Sequence, residues 1–194
     1  MLAVKTRKPA AERKAQIVDE AMRLAAELGP DRMTTQKLAD AVGITQAAIF
    51  RHFPSKTEIW QAVADRIGTP LPSKILESEE PPLDRLRAIV QRQFEFIVKT
   101  PSIPAILYSR ELHAENEALR KQFSAMIARR QQLFAELFKA ASEAGDLRPD
   151  LDPDDAARLV LASIQGMAMR WSMEKRSFDL VAEGKRLLEL QLRP

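Results

Sequence analysis

The sequence predicts an all-α fold, and three observations carry that prediction. Apolar residues return at helical spacing from Ile17 to Leu190. No segment alternates as a half-buried strand does, and no Asn-Gly or Asp-Gly pair marks a hairpin. The interruptions are Gly, Pro and capping residues, the punctuation that starts and stops helices, and they divide the chain into about nine helices. The expected arrangement is an N-terminal three-helix unit over residues 1–55 and a second helical domain over 56–194. Residues 56–67 form the connecting helix between them.

Ile17, Ala21, Leu24, Ala25 and Leu28 trace the first helix, which Gly29-Pro30 ends. The stretch from Thr34 to Lys56 then reads as two short helices around a tight turn. Leu38, Ala39 and Val42 face inward, Gly43 tolerates positive φ, Ile44 fills the corner and Thr45 caps the next helix. Ile49 and Phe53 anchor that helix from behind, so Gln46, Ala47, Phe50 and Arg51 are left facing outward. Ser55 with Glu58 forms a capping box, and Ile59, Trp60, Val63 and Ile67 continue a fourth helix up to Gly68-Thr69-Pro70.

The segment from Gly68 to Pro82 holds four of the twelve prolines and a Glu77-Ser78-Glu79-Glu80 run, which predicts an irregular connection with room for a helical turn around Ile75. Leu86, Ile89, Val90, Gln93, Phe94 and Ile97 outline a helix stopped by Pro101, and Ile103 to Leu112 outline a short one. The longest stripe runs from Leu119 through Phe123, Met126, Ile127, Arg130, Leu133, Phe134, Leu137 and Phe138 to Ala141, closed by Gly145. Asp152 is an N-cap followed by Pro153 at the first helical position, and Leu159, Val160, Ser163, Ile164, Met167 and Trp171 follow from it. A last helix runs from about Asp179 to Leu192.

Composition bounds the chemistry. The chain is 45% hydrophobic and 29% charged, as in ordinary globular proteins, and without cysteine it has neither disulfides nor thiolate chemistry. No apolar run approaches the roughly 20 residues needed to span a bilayer, and the N-terminus carries Lys5, Arg7 and Lys8 instead of the apolar core of a signal peptide. A cytoplasmic, membrane-independent protein is expected. The net charge of +3 is unevenly spread: residues 1–60 hold 10 Lys and Arg against 7 Asp and Glu, while residues 61–194 hold 20 of each. The excess sits with the two-helix motif, where it favours phosphate contacts.

Two elements of the motif resemble the TetR family of bacterial transcriptional regulators. They are Thr34-Thr35-x-x-Leu38-Ala39-x-x-Val42-Gly43-Ile44-Thr45 and the tail Ile49-Phe50-x-His52-Phe53-x-Ser55-Lys56. A generic helix-turn-helix lacks that tail. The resemblance covers roughly residues 10–67 and implies a sequence-specific regulator of double-stranded DNA, without cofactor or metal. Under it, Thr35 and Gln36 open the helix that crosses the DNA backbone, and Thr45, Gln46, Phe50 and Arg51 lie on the recognition helix. Gln46 is the expected base reader, since a glutamine amide pairs bidentately with adenine and an arginine with guanine. His52 and Lys56 are expected phosphate clamps. Phe50 stands where tyrosine is common and Ala48 where Ser or Thr is common, so two polar contacts are expected to be missing. Lys5, Arg7, Lys8 and Arg13 are read either as an arm adding backbone contacts or as a solvated tail.

The resemblance further implies a homodimer built on the last two helices and a small-molecule effector pocket in each subunit, whose occupation releases a palindromic operator. Ser163, Gly166, Met167, Ala168, Trp171 and Leu188 are the interface candidates, with ordinary core packing as the other reading. Pocket candidates are polar or aromatic residues set in apolar faces: Phe94, Tyr108, Arg110, Glu111, His113, Met126, Arg130, Gln165 and Met169. Surface ion pairs for Arg110, Glu111 and Arg130, and core filling for the Met and Phe residues, explain them equally well.

Two other functional classes are weighed. The chain has two histidines, His52 and His113, and no His-Glu-x-x-His pair or phosphate-binding glycine loop, so no enzymatic constellation is evident and no enzyme is expected. Glu111-x-His113-x-Glu115 is the only arguable metal run, and its spacing turns the three side chains apart. The run from Ala47 to Thr57 is also similar to the nucleoid occlusion factors of cell division, members of the same superfamily. That alternative implies a DNA-bound adaptor whose second domain recruits a protein, and a filled interior without a cavity would favour it.

Overall fold

Periodic apolar faces and well-placed caps produce ten helices in the computed structural model, which describes residues 8–68, 78–147 and 150–192. In chain order they are α1 (Ala10–Leu28), α2 (Thr35–Val42), α3 (Gln46–His52), α4 (Lys56–Ile67), α5 (Pro82–Lys99), α6 (Ile103–Leu107), α7 (Arg110–Glu115), α8 (Glu117–Glu143), α9 (Pro153–Met173) and α10 (Leu180–Leu192). No strand occurs among the described residues. The expected turn around Ile75 lies outside the described residues, as do Lys5 and Arg7. Among the described residues, no helix is long and apolar enough to cross a membrane.

The described residues hold one helix more than the nine expected because the segment from Ile103 to Leu112 is two helices. The apolar period runs on through it, but Ser109 adopts an extended conformation and its Oγ accepts the Leu112 amide at 3.1 Å, starting α7 afresh. A side-chain cap thus competes with continuation of the helix and wins.

Elsewhere the caps fall where their residue types predict. Gly43 is left-handed at φ 73°, and its amide and that of Ile44 both close on the Ala39 carbonyl, at 2.9 and 3.0 Å. The Ser55 hydroxyl accepts from the Glu58 amide, Asp152 from the Asp155 amide, and Asp179 from the amides of Val181 and Ala182.

Helices α1, α2 and α3 enclose a small core of Ile17, Ala21, Leu38, Ala39 and Ile49, all 1% exposed or less. Lys14 of α1 lies 5.4 Å from the Phe53 ring centroid, tying α1 to the end of α3. The fourth helix belongs to both halves of the molecule. Ile59, Trp60 and Val63 are buried, α4 packs on α1 at one side, and it meets α8 at the other. Gln122 of α8 donates to Asp65 of α4 at 2.6 Å, and Arg66 pairs with Asp19 of α1 at 2.9 Å.

The second domain is a layered bundle in which α9 packs most extensively on α8 and α5 packs on α10. Gly184 has a packing role there: a methyl group added to it would overlap the buried Phe94 ring, so only glycine lets α10 approach α5 so closely. Leu159, placed by its sequence spacing on the inward stripe of α9, is 59% exposed instead. An apolar residue at helical spacing can face a second molecule as readily as its own core.

Candidate functional site

The outward face of α3 is built by anchoring its opposite face. Ala48, Ile49 and Phe53 are buried, which leaves Gln46, Ala47, Phe50 and Arg51 exposed; the Phe50 ring is 41% exposed. Burial of Ala48 changes the expectation of a missing polar contact there, because this side chain faces the core. Phe50 offers an apolar ring at the surface and no hydroxyl.

Thr45 caps α3, accepting the Ala48 amide at 3.2 Å, and Thr34 caps α2 by accepting the Lys37 amide at 3.1 Å. Gln46 Nε2 donates to Thr35 Oγ1 at 2.6 Å, bridging the two helices of the motif. Sequence spacing gave no signal for this contact. It fixes the plane of the Gln46 carboxamide while leaving its oxygen and second N–H free for a base edge. Gln36 instead donates along its own helix to Asp40 at 2.8 Å. His52 is half-buried at the end of α3, and Lys56 is half-buried at the first position of α4, beside the Ser55 cap. Of the residues expected in the arm, Lys8 precedes α1 and pairs with Glu12 at 2.8 Å, whereas Arg13 lies within α1, not in an arm, and donates to Gln16 at 2.8 Å.

A cavity of about 380 Å³ opens in the second domain between α4, α5, α6, α8 and α9. Of the eight principal sequence candidates for a pocket, Tyr108, Met126, Arg130 and Gln165 line it. The other four do not. Phe94 is 2% exposed and packs toward Gly184, Arg110 lies on the surface, and Met169 is half-buried outside the lining.

His113 turns inward elsewhere, its Nε2 2.9 Å from the Leu107 carbonyl and its ring edge-on to Phe123 at 5.6 Å. The flanking Glu111 and Glu115 are exposed, so the Glu-x-His-x-Glu run does not converge.

Apolar side chains from five helices form most of the wall, among them Ile67, Phe96, Ile103, Leu107, Ile127 and Leu161. The polar groups are few. Arg130 Nη1 donates to Gln93 Oε1 at 2.9 Å, and burial holds its guanidinium below the ordinary arginine value. Burial also pushes the Tyr108 phenol up to about 12. Gln93 is a wall residue that sequence reading left in the apolar stripe of α5. Its signal was available, since an amide sat among Ile89, Val90, Phe94 and Ile97.

Interface candidates on the last two helices divide in the same way. Met167, Trp171 and Leu188 are 9% exposed or less within a single protomer, with Trp171 Nε1 donating to the Phe178 carbonyl at 3.1 Å. Ala168 is buried too and lines the cavity. Gly166 is exposed with nothing near its missing methyl group, and Ser163 accepts from Gln191 of α10. Around them Leu159, Met173 at 76% and Leu190 at 45% exposure present apolar surface to solvent.

Residues 17–63 match the family described as bacterial regulatory proteins, tetR family, and residues 82–191 match the BetI-type transcriptional repressor C-terminal family. The nucleoid occlusion factor SlmA of Vibrio vulnificus is 36% identical over 104 residues, covering 52% of this chain and 53% of that protein. The chain therefore matches about half the length of this relative. The SlmA of Shewanella oneidensis is 30% identical over 138 residues, 70% of each chain.

Among solved structures, the regulator FadR from Bacillus subtilis in complex with stearoyl-CoA superposes with a TM-score of 0.76 at 19% identity, covering 92% of this chain and 97% of that one. The SmeT–triclosan complex gives 0.75 at 23% identity, covering 93% and 90%. At these identities the likeness is one of fold, and it extends over both domains. With the helix-turn-helix unit and the helical domain behind it each matched, the chain belongs to the TetR family of bacterial regulatory proteins.

Proposed function

We propose that this protein is a homodimeric transcriptional repressor that reads a palindromic operator with α3 and releases it when a small molecule fills the cavity. One observation carries the coupling: α4 begins at Lys56 beside the recognition helix and ends at Arg66 and Ile67 in the cavity wall. A ligand that favours one setting of that helix shifts the DNA-reading domain with it, and only differential affinity for the two settings produces release. The exposed Leu159, Gly166, Met173 and Leu190 supply the outer face on which two protomers join, spacing two recognition helices for two half-sites. A DNA-bound adaptor in the manner of the nucleoid occlusion relatives is the other reading. The cavity favours the sensor, because an adaptor has no use for an open interior.

The test is selection of bound sequences from random double-stranded DNA, repeated with Gln46→Ala and Lys56→Ala. The first substitution changes base preference at one position in each half-site. The second weakens all sites alike and lowers the salt slope by about one. Identical selected sequences and salt dependence in all three proteins would overturn the docking of α3.

A further inference from the structure

The cavity wall contains an unbalanced charge. Among the described residues, Arg130 has one side-chain partner, the neutral amide of Gln93, and no carboxylate within ion-pair distance. The other charged wall residues are Arg66, Arg92, Lys99 and Glu95, giving four cations against one carboxylate. Arg66 is paired with Asp19, and Glu95 accepts from Gln91 at 2.8 Å; Arg92 and Lys99 are exposed and stand where the cavity meets solvent. The Arg130 side chain is half-buried, and a partly desolvated guanidinium without a counter-ion gains most where an anion takes the place of solvent. Its planar fork of donors matches a carboxylate in two-point contact. Beyond that group the wall is mostly apolar, formed by Phe96, Ile103, Leu107, Ile127, Leu161 and Ile164, with Tyr108 and Gln165 as its neutral polar members.

We infer that the effector is a lipophilic carboxylic acid of about a dozen heavy atoms, its carboxylate on Arg130 beside Gln93 and its apolar body along α6, α8 and α9. The size follows from a cavity of about 380 Å³ at roughly 30 Å³ for each water-sized group. Gln93 holds the guanidinium in place before the acid arrives. Arg92 and Lys99 raise the local concentration of anions at the entrance. This assignment rests on the effector-responsive reading proposed above and specifies its ligand.

The test compares three chains of equal length at neutral pH: decanoate, decan-1-ol and decylammonium. Each is titrated calorimetrically into the full-length protein and, separately, into its complex with the selected operator. Decanoate is expected to bind about tenfold or more tightly than decanol, with decylammonium weakest, because a charge-assisted pair is gained only with the acid. Arg130→Gln brings decanoate and decanol within about threefold of each other, while Arg130→Lys keeps most of the preference. If Arg130→Gln does not fold, the ranking of the three probes on the unaltered protein still decides.

Equal affinity for decanoate and decanol, a preference for decylammonium, or no binding of any probe overturns the assignment. A decanoate preference intact in folded Arg130→Gln overturns it as well. The underlying reading fails separately: decanoate bound selectively with unchanged operator affinity leaves the acid assigned and removes the release mechanism. Release by decanol as readily as by decanoate does the reverse.

Discussion

Ser109 Oγ lies 2.9 Å from Asp31 Oδ1 and donates to it, while the same oxygen accepts the Leu112 amide that begins α7. Asp31 stands in the loop between α1 and α2, and Ser109 follows directly on Tyr108 of the cavity wall. One hydroxyl therefore links the DNA-reading domain to the cavity by a route separate from α4. Ser109→Ala removes both the cap and the link and should cost about 1 to 2 kcal/mol in urea unfolding. Asp31→Asn replaces the charged acceptor with a neutral one and should cost less than about 1 kcal/mol. If the bond is formed in solution, Asp31→Asn adds almost nothing in the Ser109→Ala background; strictly additive costs would show that it is not.

Leu159 carries the prediction for assembly. A leucine that is 59% exposed in the second turn of α9 gains on the order of 1 to 2 kcal/mol when a partner covers it fully. A twofold interface counts it twice. Leu159→Glu is expected to raise the dimer dissociation constant by tenfold or more, seen by sedimentation, and to weaken binding to a full palindrome far more than to a half-site. Trp171→Ala acts on a different property. That side chain is buried within the protomer, so its truncation should cost roughly 3 to 5 kcal/mol of folding stability. Sedimentation unchanged by Leu159→Glu would place the contact between protomers elsewhere.

These two cases show where reading the chain succeeds and where it stops. Gly43, Asp152-Pro153 and Asp179 mark helix ends because each local backbone conformation needs a particular residue, and the structure places them so. The exposed row on α3 was legible for a similar reason, since Ile49 and Phe53 fix which side is buried.

The cavity was half legible. Gln93 and Phe94 are neighbours on one helix, separated by about 100° of rotation, and only their tertiary surroundings decide that Gln93 meets Arg130 while Phe94 meets Gly184. Periodicity placed Leu159 on an apolar stripe but carries no information about whether that stripe is covered by the same chain. Nor does it contain the Gln46–Thr35 contact, which depends on how closely the turn brings two helix starts together.

Tyr108 gives the cavity a reporter of its own, because it is the only tyrosine in the chain. Burial disfavours the phenolate and pushes the phenol from its ordinary value near 10 up to about 12. The sign for stability follows from proton linkage. Between these values the unfolded chain has lost its proton and the folded chain keeps it, so the native state binds more protons. The contribution of Tyr108 is complete below about pH 10 and is lost as pH rises through about 12. Phenolate absorbance should therefore show one transition, near 12 in the folded protein and near 10 in concentrated urea. Tyr108→Phe should abolish the signal and flatten the alkaline limb of the stability curve. An acid seated on Arg130 would move the folded transition higher still, because a nearby carboxylate and loss of residual solvent both disfavour the phenolate. A folded midpoint near 10 would mean that the ring is solvated and lies outside the wall.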